Sequence, residues 1–168
     1  MPASCQKQGS ITRSIVAGVL VIVAAVALVL GQTDNPQIGT WKLNIRRSTF
    51  SSGTGLKSAI STIEKVGDDT VMYTVASEDA DGTSRHYEYI VKYDGHDVPV
   101  IGNSPWGDTV ALSLLDSNTT GTVYKNQGQV TVVLMSVVSN DSKTRTVTTK
   151  GVTPSGKPVN NVSVYDRQ

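Results

Sequence analysis

Apolar residues follow two different patterns along the chain. From Ile15 to Leu30 they form one continuous stretch, interrupted only by Gly18. Beyond residue 32 they come in short alternating runs separated by Gly, Asn and Asp, and no window of helical length repeats at i, i+3, i+4 and i+7 between caps. Turn signals fall at Gly67-Asp68-Asp69, Asp81-Gly82, Asp94-Gly95, Gly102-Asn103-Ser104-Pro105, Asp116-Ser117-Asn118, Asn126-Gln127-Gly128, Asn140-Asp141-Ser142 and Pro154-Ser155-Gly156. These residue types tolerate the positive φ that tight hairpins require. The runs between them predict strands over 39–47, 57–66, 70–79, 84–94, 96–101, 108–115, 119–125, 129–139, 143–152 and 160–167. Strands joined by short turns are antiparallel neighbours. A meander of about ten such strands either leaves two edges open or closes on itself, and closure removes the edges. The expected fold is therefore all-β: an antiparallel up-and-down meander closing into a β-barrel, preceded by an N-terminal hydrophobic helix.

Alternation assigns some faces. Tyr87, Tyr89, Val91 and Tyr93 share one side of their strand, and His86, Glu88, Ile90 and Lys92 share the other. The charged side belongs outside, so the tyrosines point in. Val110, Leu112 and Leu114 likewise form an apolar face opposite Thr109, Ala111 and Ser113. The run from Val130 to Val138 is apolar on both faces except at Thr131 and Ser136, so a loop or a second subunit is expected to cover its outer side.

Composition sharpens the division into two parts. Lys7 and Arg13 precede the continuous apolar stretch, and no acidic residue occurs before Asp34. That is the layout of a secretory signal, with Val29 and Gly31 at −3 and −1 and a mature start at Gln32. The alternative is an uncleaved anchor, although the stretch is short beside the ~20 residues of a usual span. In both cases residues 1–31 stand apart from residues 32–168 and the remainder is sent outward to a secreted or periplasmic location; a membrane is met only through residues 15–30, and only if the signal is not cleaved. The remaining 137 residues carry a formal charge of −1 and no cysteine, Cys5 lying in the leader. Internal disulfides are thereby excluded, and the charge gives no electrostatic case for binding nucleic acid. Val and Thr supply 18 residues each, a strand-favouring bias. The length suffices for a self-supporting core.

The first predicted strand opens Gly39-Thr40-Trp41-Lys42-Leu43-Asn44, and the last reads Val162-Ser163-Val164-Tyr165-Asp166-Arg167. Gly-x-Trp at the start of an exported meander resembles the signature of lipocalins and the wider calycin barrels. Residues 39–168 are also similar to poorly characterised exported bacterial proteins that begin in this way, with a phenylalanine at the position of Phe50, and end on a sequence like Asn160 to Arg167. The resemblance implies that Trp41 closes the narrow end of a barrel and that Arg167 packs across its face, with Gly39 beside them. A guanidinium on an indole is a cation–π contact. The chain departs from those families in lacking disulfides and in leaving only Arg47 to Leu56 between its first two strands, too little for a pair of lid helices. The barrel topology transfers better than any ligand class.

Chemical motifs are sparse. The histidines are His86 and His96, and there is no Gly-x-Ser-x-Gly elbow, His-Glu-x-x-His, phosphate loop or complete EF-hand pattern around Glu78-Asp79-Ala80-Asp81-Gly82. His86 and Glu88 share a strand face, but a zinc site needs three or four ligands. No catalytic residue, metal site or cofactor is expected. The candidate binding groups are Tyr73, Tyr87, Tyr89, Tyr93 and Tyr124 in the interior or at the mouth, with Trp106 on a loop. Such residues suit a cavity for a small hydrophobic or amphipathic molecule. They equally suit a filled core, leaving a structural or interaction protein that associates through strand 130–138.

Overall fold

The computed structural model describes residues 35–51 and 53–168. The expected helix and leader over residues 1–31 lie outside them. The described chain forms β1 (Gly39–Leu43), β2 (Leu56–Lys65), β3 (Thr70–Asp79), β4 (Ser84–Lys92), β5 (Val98–Pro99), β6 (Ile101–Gly102), β7 (Thr109–Leu114), β8 (Thr119–Asn126), β9 (Gln129–Val138), β10 (Thr144–Val152) and β11 (Pro158–Arg167). Every pairing is antiparallel, and β1 lies between β2 and β11, so the first and last strands are neighbours. The result is a nearly closed, lipocalin-like meander barrel of eleven strands.

Two predicted strands change shape. The segment expected over 96–101 becomes two short bridges: β5 pairs with β7, and β6 pairs with β4. Pro99 has no N–H to continue a ladder, so the chain changes partner there and spans the seam between β4 and β7. Val100 N–H still reaches the carbonyl of Asp108 (2.9 Å). The strand expected over 39–47 stops at Leu43 and gives way to a single 3-10 turn over Ile45–Arg47. The Ser48 hydroxyl fastens this turn by donating to the Asn44 carbonyl (2.8 Å) and accepting from Val164 N–H (2.9 Å).

The faces of β4 are as the alternation implies, with Tyr87, Tyr89 and Val91 buried and His86, Ile90 and Lys92 exposed. On β7, Val110 and Leu112 are fully buried, whereas Leu114 is 50% exposed because the strand ends at the barrel rim. On β9, Val132 and Val138 enter the core, while Val133 and Met135 remain 47% and 48% exposed on the outside. No loop of the described residues shields that outer face.

Candidate functional site

The end of the barrel beside residues 35–38 is sealed. Trp41 is fully buried, and its indole N–H donates to the Gln37 carbonyl (2.8 Å). The register pairs Trp41 directly with Arg167, whose guanidinium carbon lies 4.2 Å from the indole ring centroid. The guanidinium also donates to three backbone carbonyls: Ser142 (2.5 Å), Ile38 (2.7 Å) and Pro36 (2.7 Å). Gly39 is required here for two reasons. Its φ is +135°, and a Cβ at this position would overlap Nη1 of Arg167. Gly39, Trp41 and Arg167 thus form one floor. Gln37, buried beneath it, donates to the Asn118 carbonyl (2.8 Å) and accepts from the Ser136 hydroxyl (3.1 Å).

Above the floor the interior is a narrow shaft. Tyr73, Tyr87, Tyr89 and Tyr124 all line it. Tyr73 and Tyr89 stack at 5.1 Å between centroids, Tyr89 and Tyr124 meet edge to face at 6.2 Å, and the Tyr124 hydroxyl donates to that of Tyr89 (3.2 Å). Burial pushes the Tyr73, Tyr87 and Tyr124 hydroxyls up from the ordinary phenol range, and pushes that of Tyr89 up to about 12. All four are therefore neutral hydrogen-bonding groups at physiological pH. They also fill most of the space, because the remaining cavity is only about 80 Å³. This holds a few waters or the narrow end of a ligand, and falls below the ~300 Å³ of a usual small-molecule pocket.

Two shaft residues were not among the sequence candidates. Arg145 on β10 is 7% exposed and lines the shaft beside Tyr165 of β11. Its Nε donates to the Ser136 hydroxyl (2.8 Å) and its Nη1 to the Ser61 hydroxyl (3.3 Å). Its guanidinium carbon is 5.9 Å from the ring centroids of both Tyr73 and Tyr165. Strand alternation carried the signal for Tyr165, which shares a face with Ser163 and Arg167. Arg145 carried no comparable signal, because threonine occurs on both faces of its strand.

Tyr93 is not among the residues that line the shaft, although it packs against the core and its hydroxyl interacts with that of Tyr73. It sits toward the floor, where its hydroxyl accepts from Asn35 Nδ2 (3.0 Å), and it lines a different cleft at that end. His86 is exposed on the outside of β4, and His96 is an exposed turn residue with Nδ1 3.2 Å from Asp94.

At the opposite end lies a vestibule of about 450 Å³, walled by Leu56, Ala80, Pro105, Trp106 and Pro154, with Arg85, Asp79, Asp81 and Lys157 at its rim. Thr54, Leu56, Pro105 and Trp106 border both spaces, so the vestibule adjoins the shaft. The loop carrying Trp106 is pinned: the Thr131 hydroxyl donates to the Trp106 carbonyl (2.5 Å), and a Cβ on Gly107 would overlap the Lys125 carbonyl oxygen. Close packing against β8 at Gly107 holds Trp106 over the mouth.

No family model matches this chain, and no curated protein matches it. Among solved structures it is similar to wild-type fluorescent protein UnaG, with 13% identity and a TM-score of 0.50 over 79% of this chain and 97% of that one. A single-substitution mutant of UnaG gives the same TM-score at 14% identity, covering 79% and 96%. These likenesses concern the fold alone, a nearly closed antiparallel β-barrel.

Proposed function

We propose that this chain is an exported, non-enzymatic binding protein whose barrel receives a small amphipathic molecule at its open end. The observation that carries this reading is the vestibule of about 450 Å³ beside Trp106, adjoining a shaft lined by neutral tyrosines. That volume lies within the ~300–1,000 Å³ range of small-molecule sites, and its walls combine apolar surface with a few convergent polar groups. Because the shaft is narrow, the ligand's body stays in the vestibule. Native mass spectrometry of the full-length protein, followed by denaturation and extraction, should release one small molecule per chain. Trp106→Ala should weaken its rebinding about tenfold, as expected for loss of an aromatic anchor. A protein that carries nothing, and whose tryptophan emission ignores amphipathic probes, would overturn the reading.

Export rests on the basic, apolar and small-residue layout of residues 1–31. Fractionation with N-terminal sequencing should find the protein outside the cytoplasm, either starting at Gln32 or retained in the membrane fraction. Full-length chain in the cytosol would refute export.

A second reading has its own observation. The small shaft and the exposed Val133, Met135 and Val137 suit a filled barrel that acts through its outer face. Light scattering decides it: an oligomer lost on Met135→Glu favours this reading, and a monomer removes it.

A further inference from the structure

We propose that the bound molecule is a monoanion that enters head first, with a carboxylate or similar single-charged head on Arg145 while its wider body stays in the vestibule beside Trp106. This rests on the binding reading above and names the class of ligand. Arg145 is a guanidinium with 7% exposure whose hydrogen-bond acceptors are two serine hydroxyls. Neither Asp nor Glu lines the shaft among the described residues. A guanidinium keeps its proton in proteins, so the shaft holds one positive charge that no protein carboxylate balances. Buried charges are normally paired, because desolvation penalises a lone one heavily.

The unused donors define the missing partner. A guanidinium has five N–H groups, and Arg145 spends one of them, at Nε, on Ser136 and another, at Nη1, on Ser61. The second N–H of Nη1 and both on Nη2 remain, a surplus of donors that a carboxylate, with its two acceptor oxygens, can take up. Charge balance limits the ligand to one negative charge, since a dianion such as a phosphate monoester would leave an excess buried. Size sets the rest: about 80 Å³ admits a head and a slender arm, and about 450 Å³ at the mouth accommodates the body.

The test uses three probes that share a flat body and a narrow arm: 4-phenylbutyrate, 4-phenylbutan-1-ol and 4-phenylbutylammonium. Each is titrated into the full-length protein by calorimetry, with tryptophan emission as a second readout. The carboxylate should bind about ten- to a hundredfold more tightly than the alcohol, and the ammonium not at all. Arg145→Met should erase the preference of carboxylate over alcohol while leaving alcohol binding in place. Trp106→Ala should weaken both equally and keep the preference. If Arg145→Met does not fold, the wild-type protein still gives an answer: phenylbutyrate affinity should drop to that of the alcohol as pH falls through the probe's own carboxyl pKa. Equal binding of all three probes, or a preference that survives Arg145→Met, overturns the anion proposal and leaves the binding reading intact. A folded protein that binds none of them counts against both.

Discussion

Arg145 and Arg167 project into the same barrel from neighbouring strands, yet their surroundings differ sharply. Arg167, at the floor, meets three backbone carbonyls and the face of Trp41. Arg145, in the shaft, meets two hydroxyls and two more distant tyrosine faces. The carbonyls at the floor belong to Pro36, Ile38 and Ser142, so one guanidinium ties the segment before β1 to the turn between β9 and β10. The floor is built to be complete, whereas the shaft retains unused donor capacity around a buried charge. The comparison separates a structural arginine from one poised for a ligand, and it makes opposite predictions for the two.

The largest effect should come from breaking the floor. Arg167→Ala removes three charge-assisted hydrogen bonds and the cover over Trp41, leaving the carbonyls of three half-buried residues without their donor. A loss of about 3 kcal/mol is expected, read as a fall in the urea midpoint at unchanged slope. Gly39→Ala strikes the same contact from the opposite side, because its Cβ would overlap Nη1 of Arg167 at a φ of +135°. The guanidinium tip can move only by giving up carbonyls, so about 2 kcal/mol should be lost. In the double variant the two losses should fall short of their sum, since each removes the same interaction. Full additivity would show that Gly39 is needed for its backbone conformation alone.

Arg145→Met should act in the opposite direction. Without ligand the substitution removes an uncompensated buried cation and replaces it with an apolar chain of similar length. Ser136 keeps its bond to Gln37. The unliganded protein should gain about 1 kcal/mol, seen as a higher urea midpoint. A loss comparable to that of Arg167→Ala would mean that the shaft arginine is structural after all, and the contrast between the two sites would collapse.

The floor was largely legible in the sequence, and the shaft only in part. Gly39, Trp41 and Arg167 could be found because Gly-x-Trp on the first strand and an arginine on the last resemble the lipocalin signature, and their contact has a simple physical basis. Tyr87 and Tyr89 could be placed because the opposite side of β4 carries charge. Strand β10 offers no such contrast: Thr144, Thr146 and Thr148 alternate with Arg145, Val147 and Thr149, so threonine occurs on both faces. An arginine in that setting reads as a surface residue, and only the register with β9 and β11 turns it inward. The split at Pro99 was hidden for a different reason. The missing N–H was visible, but the change of partner depends on the distance between β4 and β7, which no local pattern encodes.

Acid should produce the smallest difference between the two ends. Asp94, Asp116 and Asp141 sit in turns at the floor end, where their carboxylates accept backbone N–H groups of His96, Asn118 and Lys143. Asp81 does the same for Thr83 at the mouth. These bonds hold all four carboxyls below the ordinary value of 3.8; for Asp141 the Ser139 hydroxyl is the leading cause, ahead of the N–H. A carboxyl whose folded pKa is lowered contributes stability that is complete above the unfolded value and is lost as pH falls through the folded one. The contribution should therefore persist down to about pH 4 and fade below it. Because all four groups are exposed, solvent and salt keep each effect small. Amide exchange followed below that pH should show His96, Asn118 and Lys143 losing protection together at the floor end, matched at the mouth by Thr83. Asp94→Asn should remove the acid response at His96 alone. Equal loss at all four amides in that variant would mean that acid opens the barrel as a whole, so that its ends do not respond as separate units.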